Sequence, residues 1–413
     1  ATPGAAWYER QLHDLWGLVP VGHPRLDPLV RPGPDQDGEA ARGEASLPAH
    51  VGGEGLFTIP YGPVRSGVVE AVEYLVETPG ENIPHLRTRI HHKHRGVSAR
   101  FEGLDPSDGV LLAERVEGVA GVAHALCLAR AVEALADTEA PRRAALVRVV
   151  HAELERVANH LDTMVRHTEG AGQAVAHARL GLHKERVLRL RARLCGHRFG
   201  RGVVIPGGVA GPPALHPGEA SRALADLAAA LSSDTAALMA TPSFLERLRG
   251  TGVLPPVLAA TLGALGPVGR GSGLAEDLRV DRPYDGYAGL QVTPAAPRAE
   301  GDALARQHVR LTEVAEALAL CHQALAELAE EPDGPWSVPL PPAEGRALAG
   351  VEAPQGELLY LVDAREGRLQ GVSPRSASFH NLGLFHHAFR GDIFTDVVFI
   401  EASWGVSIAG ASG

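Results

Sequence analysis

The chain has 413 residues and only three cysteines, Cys127, Cys195 and Cys321, which stand far apart with no Cys-x-x-Cys anywhere. Scattered single thiols exclude a disulfide framework and fit a reducing compartment. They are also too few for the usual four-cysteine ligation of an iron–sulfur cluster. Lysine is scarcer still. Lys93 and Lys184 are the only two, so almost all positive charge is arginine. The net charge of −10 argues against a general nucleic-acid binder, which needs a dominant basic surface. No uninterrupted apolar run approaches roughly 20 residues, so no membrane-spanning helix is expected. The start, Ala1-Thr2-Pro3-Gly4, lacks the basic and apolar regions of a signal peptide. Membrane attachment is therefore expected through partners. Gly207-Gly208 is not followed by a phosphate-loop or dinucleotide glycine pattern, so NAD is not expected to bind this chain.

What is present is the composition of a globular protein with ample core, 45% hydrophobic and 21% charged. Residues 1–32 form a block that opens without an initiator methionine, as the tail of a longer domain would. Residues 33–52 are rich in Gly, Pro and acid and read as a linker. Short strands are expected near Leu56–Pro60 and Val68–Glu77. From about residue 107 to 330 the pattern is helical, with segments at 108–136, 183–199, 219–240 and 300–330. Leu146, Val150, Leu154, Val157, Leu161 and Met164 make one apolar stripe, and Pro141 suits the start of its helix. Glu357–Asp363 and Asp396–Ile400 read as strands. The expected fold is α+β and mainly helical, a central helix bundle flanked by small strand-rich parts.

Two stretches at opposite ends carry a resemblance. They are Glu114-Arg115-Val116-Glu117-Gly118-Val119-Ala120 and Ile400-Glu401-Ala402-Ser403-Trp404-Gly405-Val406-Ser407-Ile408-Ala409-Gly410. Both resemble the paired Cys-x-x-Cys motifs of nickel–iron hydrogenase large subunits, but the thiolate positions fall on Glu117, Ala120, Ser407 and Gly410. Before the first come Gly62-Pro63-Val64-Arg65-Ser66-Gly67 and His94-Arg95-Gly96, and between the two, in order, come Glu153-Leu154-Glu155-Arg156 with His160 and Gly207-Gly208-Val209. Ser272-Gly273, Asp277-Leu278-Arg279 with Tyr284 and Tyr287, Glu352-Ala353-Pro354-Gln355-Gly356-Glu357 and Ser378-Phe379 complete the series. The series resembles the D-type subunits of respiratory complex I and the large subunits of group 4 hydrogenases such as formate hydrogenlyase, over residues 53 to 413. Residues 1–32, with Glu9-Arg10, Asp14-Leu15-Trp16-Gly17 and Gly22-His23-Pro24, resemble the C-terminal tail of the C-type subunits of complex I.

The resemblance implies two activities, and each leaves a test. A hydrogenase needs four thiolates, an arginine where Gln355 stands and a proton-relaying glutamate where Ser98 stands. Soft thiolates hold such a metal pair, and neither Ala nor Gly replaces them, so a nickel–iron centre is not expected. Complex I members hold a quinone headgroup by the histidine of His-Arg-Gly, here His94, and a tyrosine whose position falls on Gly118. The nearest match is to hydrogenase-related complexes that keep the architecture without the nickel site.

Several residues are then candidates for chemistry. On one continuous helix, Glu117, Gly121 and His124 would share a face, and a carboxylate beside an imidazole can pass a proton. The alternative is a solvated Glu117 and a satisfied core His124. Glu153, Arg156 and His160 lie along one helical face beside the apolar stripe, as a buried charge network or as a plain i, i+3 salt pair. His85, His91, His92 and His94 lack zinc-site spacing, and Lys93 and Arg95 would repel a cation, so a polar cavity-lining loop is expected. In the arginine run from Arg186 to Arg201, the roles expected are carboxylate pairing or docking of an acidic partner.

The expected function is the large subunit of a complex I-like or hydrogenlyase-like oxidoreductase, peripheral on the cytoplasmic face of the membrane. His94, Arg95, Glu117, His124, Glu153, Arg156 and His160 would move protons, while Arg115, Arg198 and Ser407 would line the interface to a partner's 4Fe-4S cluster. That partner resembles the small, B-type subunits of complex I and would stand beside antiporter-like and anchor membrane subunits. Quinone is a candidate acceptor, and NAD would bind only elsewhere in the complex. A non-catalytic assembly subunit is the alternative.

Overall fold

A computed structural model describes residues 3–23, 26–30, 53–65 and 70–413. The expected linker at 33–52 lies outside the described residues, as do Pro24, Arg25 and the segment 66–69. Helix α1 (Ala6–Trp16) ends at Gly17, whose left-handed backbone (φ 66°) returns its N–H to the His13 carbonyl. Strands β1 (Phe57–Tyr61), β2 (Glu73–Thr78) and β3 (His85–Arg89) form an antiparallel sheet. The second expected strand therefore begins five residues later than its composition suggested, at Glu73 rather than Val68.

The bundle follows. Helix α2 (Pro106–Ala113) starts with Pro106 in its first turn and the Asp105 carboxylate accepting from Ser107 N–H. Helix α3 (Gly121–Leu135) comes after a break. The long helix α4 (Arg142–Gly170) begins directly after Pro141, and every member of its expected apolar stripe is buried. Helices α5 (Ala174–Cys195), α6 (Pro217–Met239) and α7 (Ala303–Glu330) complete it. The α4 helix packs on both α5 and α7, and one apolar core runs through all of them. Burial of aliphatic side chains at roughly 25 cal/mol per Å² is the main term holding these helices together.

Strands β4 (Gly345–Ala353), β5 (Gly356–Arg365) and β6 (Arg368–Arg375) form a second antiparallel sheet that packs on α3. The tight β4–β5 turn carries Pro354 and Gln355. Helices α8 (Ala377–Leu384), α9 (Val397–Trp404) and α10 (Ile408–Ser412) close the described chain over a smaller apolar cluster that includes β2 and β3. Among the described residues no single helix is long and apolar enough to cross a membrane.

Two expectations are corrected. The segment 108–136 is not one helix, because residues 114–120 form a turn between α2 and α3. Long-range bonds hold that turn open. Arg95 donates to the carbonyls of Arg115 (2.9 Å) and Val116 (2.6 Å), and Gly202 N–H donates to the Glu114 carboxylate (2.6 Å). At the start of α3, the Glu155 carboxylate takes the N–H groups of Val122 (2.8 Å) and Ala123 (3.0 Å). The second correction concerns Asp396–Ile400, which is not a strand: α9 begins at Val397. Val397, Phe399, Ile400, Ala402 and Trp404 are buried while Val398 is exposed, so packing rather than β-propensity sets their conformation.

Candidate functional site

The two motif stretches meet. The turn 114–120 and helix α10 lie together, so the four positions matching thiolates converge from opposite ends of the chain. Glu117 is 2% exposed, which removes the reading of it as a solvated charge. It does not share a continuous helix with His124 as expected, since it sits in the turn, yet its Oε2 still lies 3.3 Å from His124 Nε2. His124 Nδ1 lies 2.7 Å from the Tyr360 hydroxyl on β5, and all three side chains are buried. Burial raises the Tyr360 phenol well above its ordinary value, so it keeps its proton and donates to Nδ1. That assigns the remaining imidazole proton to Nε2, where it is donated to Glu117.

Glu117 also fills space. A methyl built on Gly410 would lie 2.2 Å from Glu117 Oε2 and 2.6 Å from its Cδ. The carboxylate thus occupies the volume of a side chain at the fourth motif position. Its Oε1 accepts from Ser378 Oγ (3.1 Å), and Ser378 Oγ in turn accepts from Ser407 N–H (3.0 Å). Ser407 is buried within this chain, and its hydroxyl reaches the Glu70 carboxylate (3.0 Å). Glu70 further accepts the N–H groups of Ile408 and Ala409 at the start of α10. The four positions offer one carboxylate, one hydroxyl and no thiolate. They do not fit a nickel–iron pair.

His94 and Arg95 tie this region to the end of the chain. His94 Nδ1 lies 2.7 Å from the Ser412 carbonyl, and Arg95 N–H donates to the Gly413 carbonyl (2.6 Å). The Arg95 guanidinium also reaches the Ala409 carbonyl (3.1 Å), which clips α10 to the 114–120 turn. Burial lowers its pKa from the ordinary value. His91–Lys93 form a single 3-10 turn. Arg115 and Arg198 are exposed, Arg198 paired with Glu185 through two bonds of 2.6 and 2.9 Å. A small, partly open cleft of about 80 Å³ runs beside the turn, lined by Gly118, Val119, Glu155, Asn159, Arg191 and Phe199 among others.

Glu153, Arg156 and His160 form part of a larger buried network. Arg156 Nε donates to Glu153 (3.0 Å), and its two terminal nitrogens donate to the carbonyls of Ala353 (3.1 Å) and Glu352 (2.7 Å). Glu153 also takes Arg279 (3.2 Å) and the Tyr287 hydroxyl (2.5 Å). His160 Nε2 lies 2.7 Å from Glu313, which Arg270 also reaches (2.8 Å). Burial pushes the His160 imidazole down to about 4, with Glu313 partly offsetting it, so it is a neutral donor at pH 7. Burial alone would raise Glu153 and Glu313, but Arg156 and Arg279 hold the first below its ordinary value and Arg270 holds the second well below.

The residues missed from sequence divide in two. Asp277, Arg279, Tyr287, Glu352 and Ser378 belong to the ordered motif series, a signal that was available. Glu70, Arg270, Glu313 and Tyr360 carried no local signal, since each meets its partners across long stretches of chain. Among the described residues, no group of three or more His, Cys, Asp or Glu side chains is placed to hold a metal ion.

Comparison with known proteins agrees with the motif series. Residues 175–339 match the family model of the respiratory-chain NADH dehydrogenase 49 kDa subunit, and residues 1–46 match that of the 30 kDa subunit. The chain is 31% identical to the membrane-bound hydrogenase alpha subunit of Pyrococcus furiosus, across 84% of each protein. It is 29% identical to a D-type subunit of the NADH-quinone oxidoreductase of Roseiflexus castenholzii, across 88% of this chain and 94% of that one. With formate hydrogenlyase subunit 5 of Escherichia coli it shares 27% identity, across 97% of this chain and 74% of that one. The chain belongs to the family that unites the D-type subunits of NADH-quinone oxidoreductases with the large subunits of membrane-bound hydrogenases, and so is a subunit of an oxidoreductase complex.

Proposed function

We propose that this chain is the large subunit of a membrane-associated, complex I-like or hydrogenlyase-like oxidoreductase in which Glu117 and His124 do proton work where relatives hold a metal pair. The carrying observation is the volume at Gly410, filled by the Glu117 carboxylate and bonded onward to His124. A small, cluster-bearing partner of the complex I B type would dock on the turn 114–120, with the exposed Arg115 and Arg198 as its charged contacts. Its 4Fe-4S cluster supplies electrons when bound. The acceptor, for which quinone is a candidate, would lie in the cleft beside Gly118.

Glu117 is the group that gives a proton to the site, and His124 replaces it. The pair exchanges one proton along the contact between His124 Nε2 and Glu117 Oε2, taken up from and returned to the acceptor side, while the Tyr360 hydroxyl keeps its own and orients the imidazole. His94 and Arg95 would hold α10 against the turn. The buried network of Glu153, Arg156 and His160 would sense charge at the site from behind. Antiporter-like and anchor membrane subunits would hold the assembly on the cytoplasmic face and use the charge movement for ion translocation. NAD would bind elsewhere in the complex, and no nucleic acid is involved. The isolated chain would be inactive.

The test is turnover of the intact complex carrying Glu117→Gln or His124→Ala. Either should cut turnover by roughly 100-fold or more, the range of general acid–base catalysis. Normal assembly with unchanged turnover would instead favour a non-catalytic bracing role.

A further inference from the structure

The network behind the site has an unequal charge count. Four carboxylates, Glu153, Asp277, Glu313 and Glu352, are bonded to three guanidiniums, Arg156, Arg270 and Arg279, and all seven side chains are buried; a fourth buried guanidinium, Arg310, acts on Glu313 but donates only to the carbonyls of Arg306 and Trp404. His160 is a neutral donor, and burial keeps Tyr284 and Tyr287 protonated. With every acid ionised, four carboxylates would share three directly bonded guanidiniums, leaving one acid weakly paired away from water, a situation that proteins relieve by taking up a proton.

Hydrogen-bond geometry identifies which acid takes it. Glu153 accepts from Arg156, Arg279 and Tyr287. Asp277 accepts from Arg279 three times, at its backbone N–H (3.0 Å), Nε (3.0 Å) and a terminal nitrogen (2.7 Å). Glu313 holds His160 and Arg270, with Arg156 at 3.9 Å. At Glu352, both Arg270 contacts go to Oε1 at 3.1 Å, and Arg270 is already shared with Glu313 and Asp277. Its Oε2 has a single long contact, from Leu278 N–H at 3.3 Å.

We propose that this cluster is a proton-binding site, with Glu352 Oε2 the atom that takes up and releases one proton near neutral pH. The step is a plain protonation: the carboxylate and one proton from solvent give the carboxylic acid, with no redox change. Burial and the neighbouring Asp277 push the Glu352 carboxyl up to about 7, in the direction the geometry demands. Arg156, Glu153 and His160 lie on the α4 side, Arg270, Asp277 and Arg279 on the segment before α7, and Glu313 on α7, where Arg310 and the half-buried Glu316 also act on the cluster. Across the β4–β5 register stands Glu357, paired with Arg375 at 3.0 Å, and Asp281 takes the Asp277 N–H at 2.9 Å. Arg130 lies over the Tyr284 ring at 4.6 Å, and the Tyr284 hydroxyl accepts the Glu352 N–H at 2.9 Å. The inference does not depend on the role given to Glu117.

Infrared difference spectroscopy of the purified complex, wild type minus Glu352→Gln, tests it. The expected result is a carboxylic-acid carbonyl band that is lost as the pH rises from about 5 to about 9. Only carboxylate bands across that range, or an acid band whose intensity does not change with pH, would overturn the proposal. If the variant does not assemble, wild-type complex labelled with 13C-glutamate serves instead. A titrating acid band must then move with the label, and the lack of any such band again overturns the proposal.

Discussion

Glu117 and Gly410 are one structural unit, because the carboxylate at the first lies where a side chain at the second would be. Only glycine leaves room for a buried glutamate that must also reach His124 and Ser378. Gly410→Ala should therefore cost roughly 1–3 kcal/mol of stability by overpacking, read as a lowered denaturation midpoint. Shortening the partner should relieve it. The double variant Gly410→Ala with Glu117→Asp is expected to be less destabilised than the two single effects added, with a coupling of at least about 0.5 kcal/mol. Simple additivity would show that the two positions do not compete for space. The sequence carried half of this. The family motif brought Glu117 and His124 forward, but no rule of helix spacing puts Glu117 against Gly410, which is 293 positions away in the numbering.

At the scale of elements, the break between α2 and α3 does the placing. A continuous helix would carry Glu117 past the site, and the break exists because Arg95 donates to its carbonyls, Gly202 N–H donates to the Glu114 carboxylate and Glu155 takes an amide at the start of α3. Arg95→Ala removes bonds to three carbonyls on two elements. We expect a local loss of about 1–2 kcal/mol, given that Arg95 is partly solvated, and faster amide exchange confined to residues 114–120 and α10. Exchange unchanged there would mean that other contacts hold the break. These bonds explain why the segment was read as one helix: local spacing from 108 to 136 is helical, and the groups that interrupt it are remote. The same holds for α9, whose Val397-Val398-Phe399-Ile400 run is strand-like in composition but packed as a helix. Glu153, Arg156 and His160 were legible because their spacing on α4 is local. Their partners Arg270 and Glu313 were not, since His160 meets Glu313 across 153 positions.

Across the whole molecule, burial of histidines sets the response to acid. Burial, with Arg191 adding to it, pushes His151 down to about 3, and burial pushes His167 to about 3 and His160 to about 4, from an ordinary value of 6.5. Each is neutral in the fold but binds a proton once unfolded, so between pH 6.5 and the folded values the unfolded state holds more protons. Stability from these groups is full above 6.5 and falls as the pH drops toward 4. Acids raised by burial, Glu352 to about 7 and Asp392 to about 6 with Glu114, Glu155 and Glu316 in the same direction, work the other way over part of that range, but further lowered histidines, among them His91 at about 4, add to these three. The thermal midpoint of the complex should fall on acidification from about pH 6.5 to about pH 4. A midpoint that is flat or rises over that range would contradict the burial of these histidines.

The central claim is that an inherited scaffold holds the Glu117 carboxylate, bonded to the His124 imidazole, at a position that the nickel–iron hydrogenase motif gives to a thiolate. Elemental analysis of the intact purified complex tests it most directly. The account predicts iron in the amount that the partner's iron–sulfur clusters require and no nickel above trace. Nickel in a one-to-one ratio with this chain would contradict it.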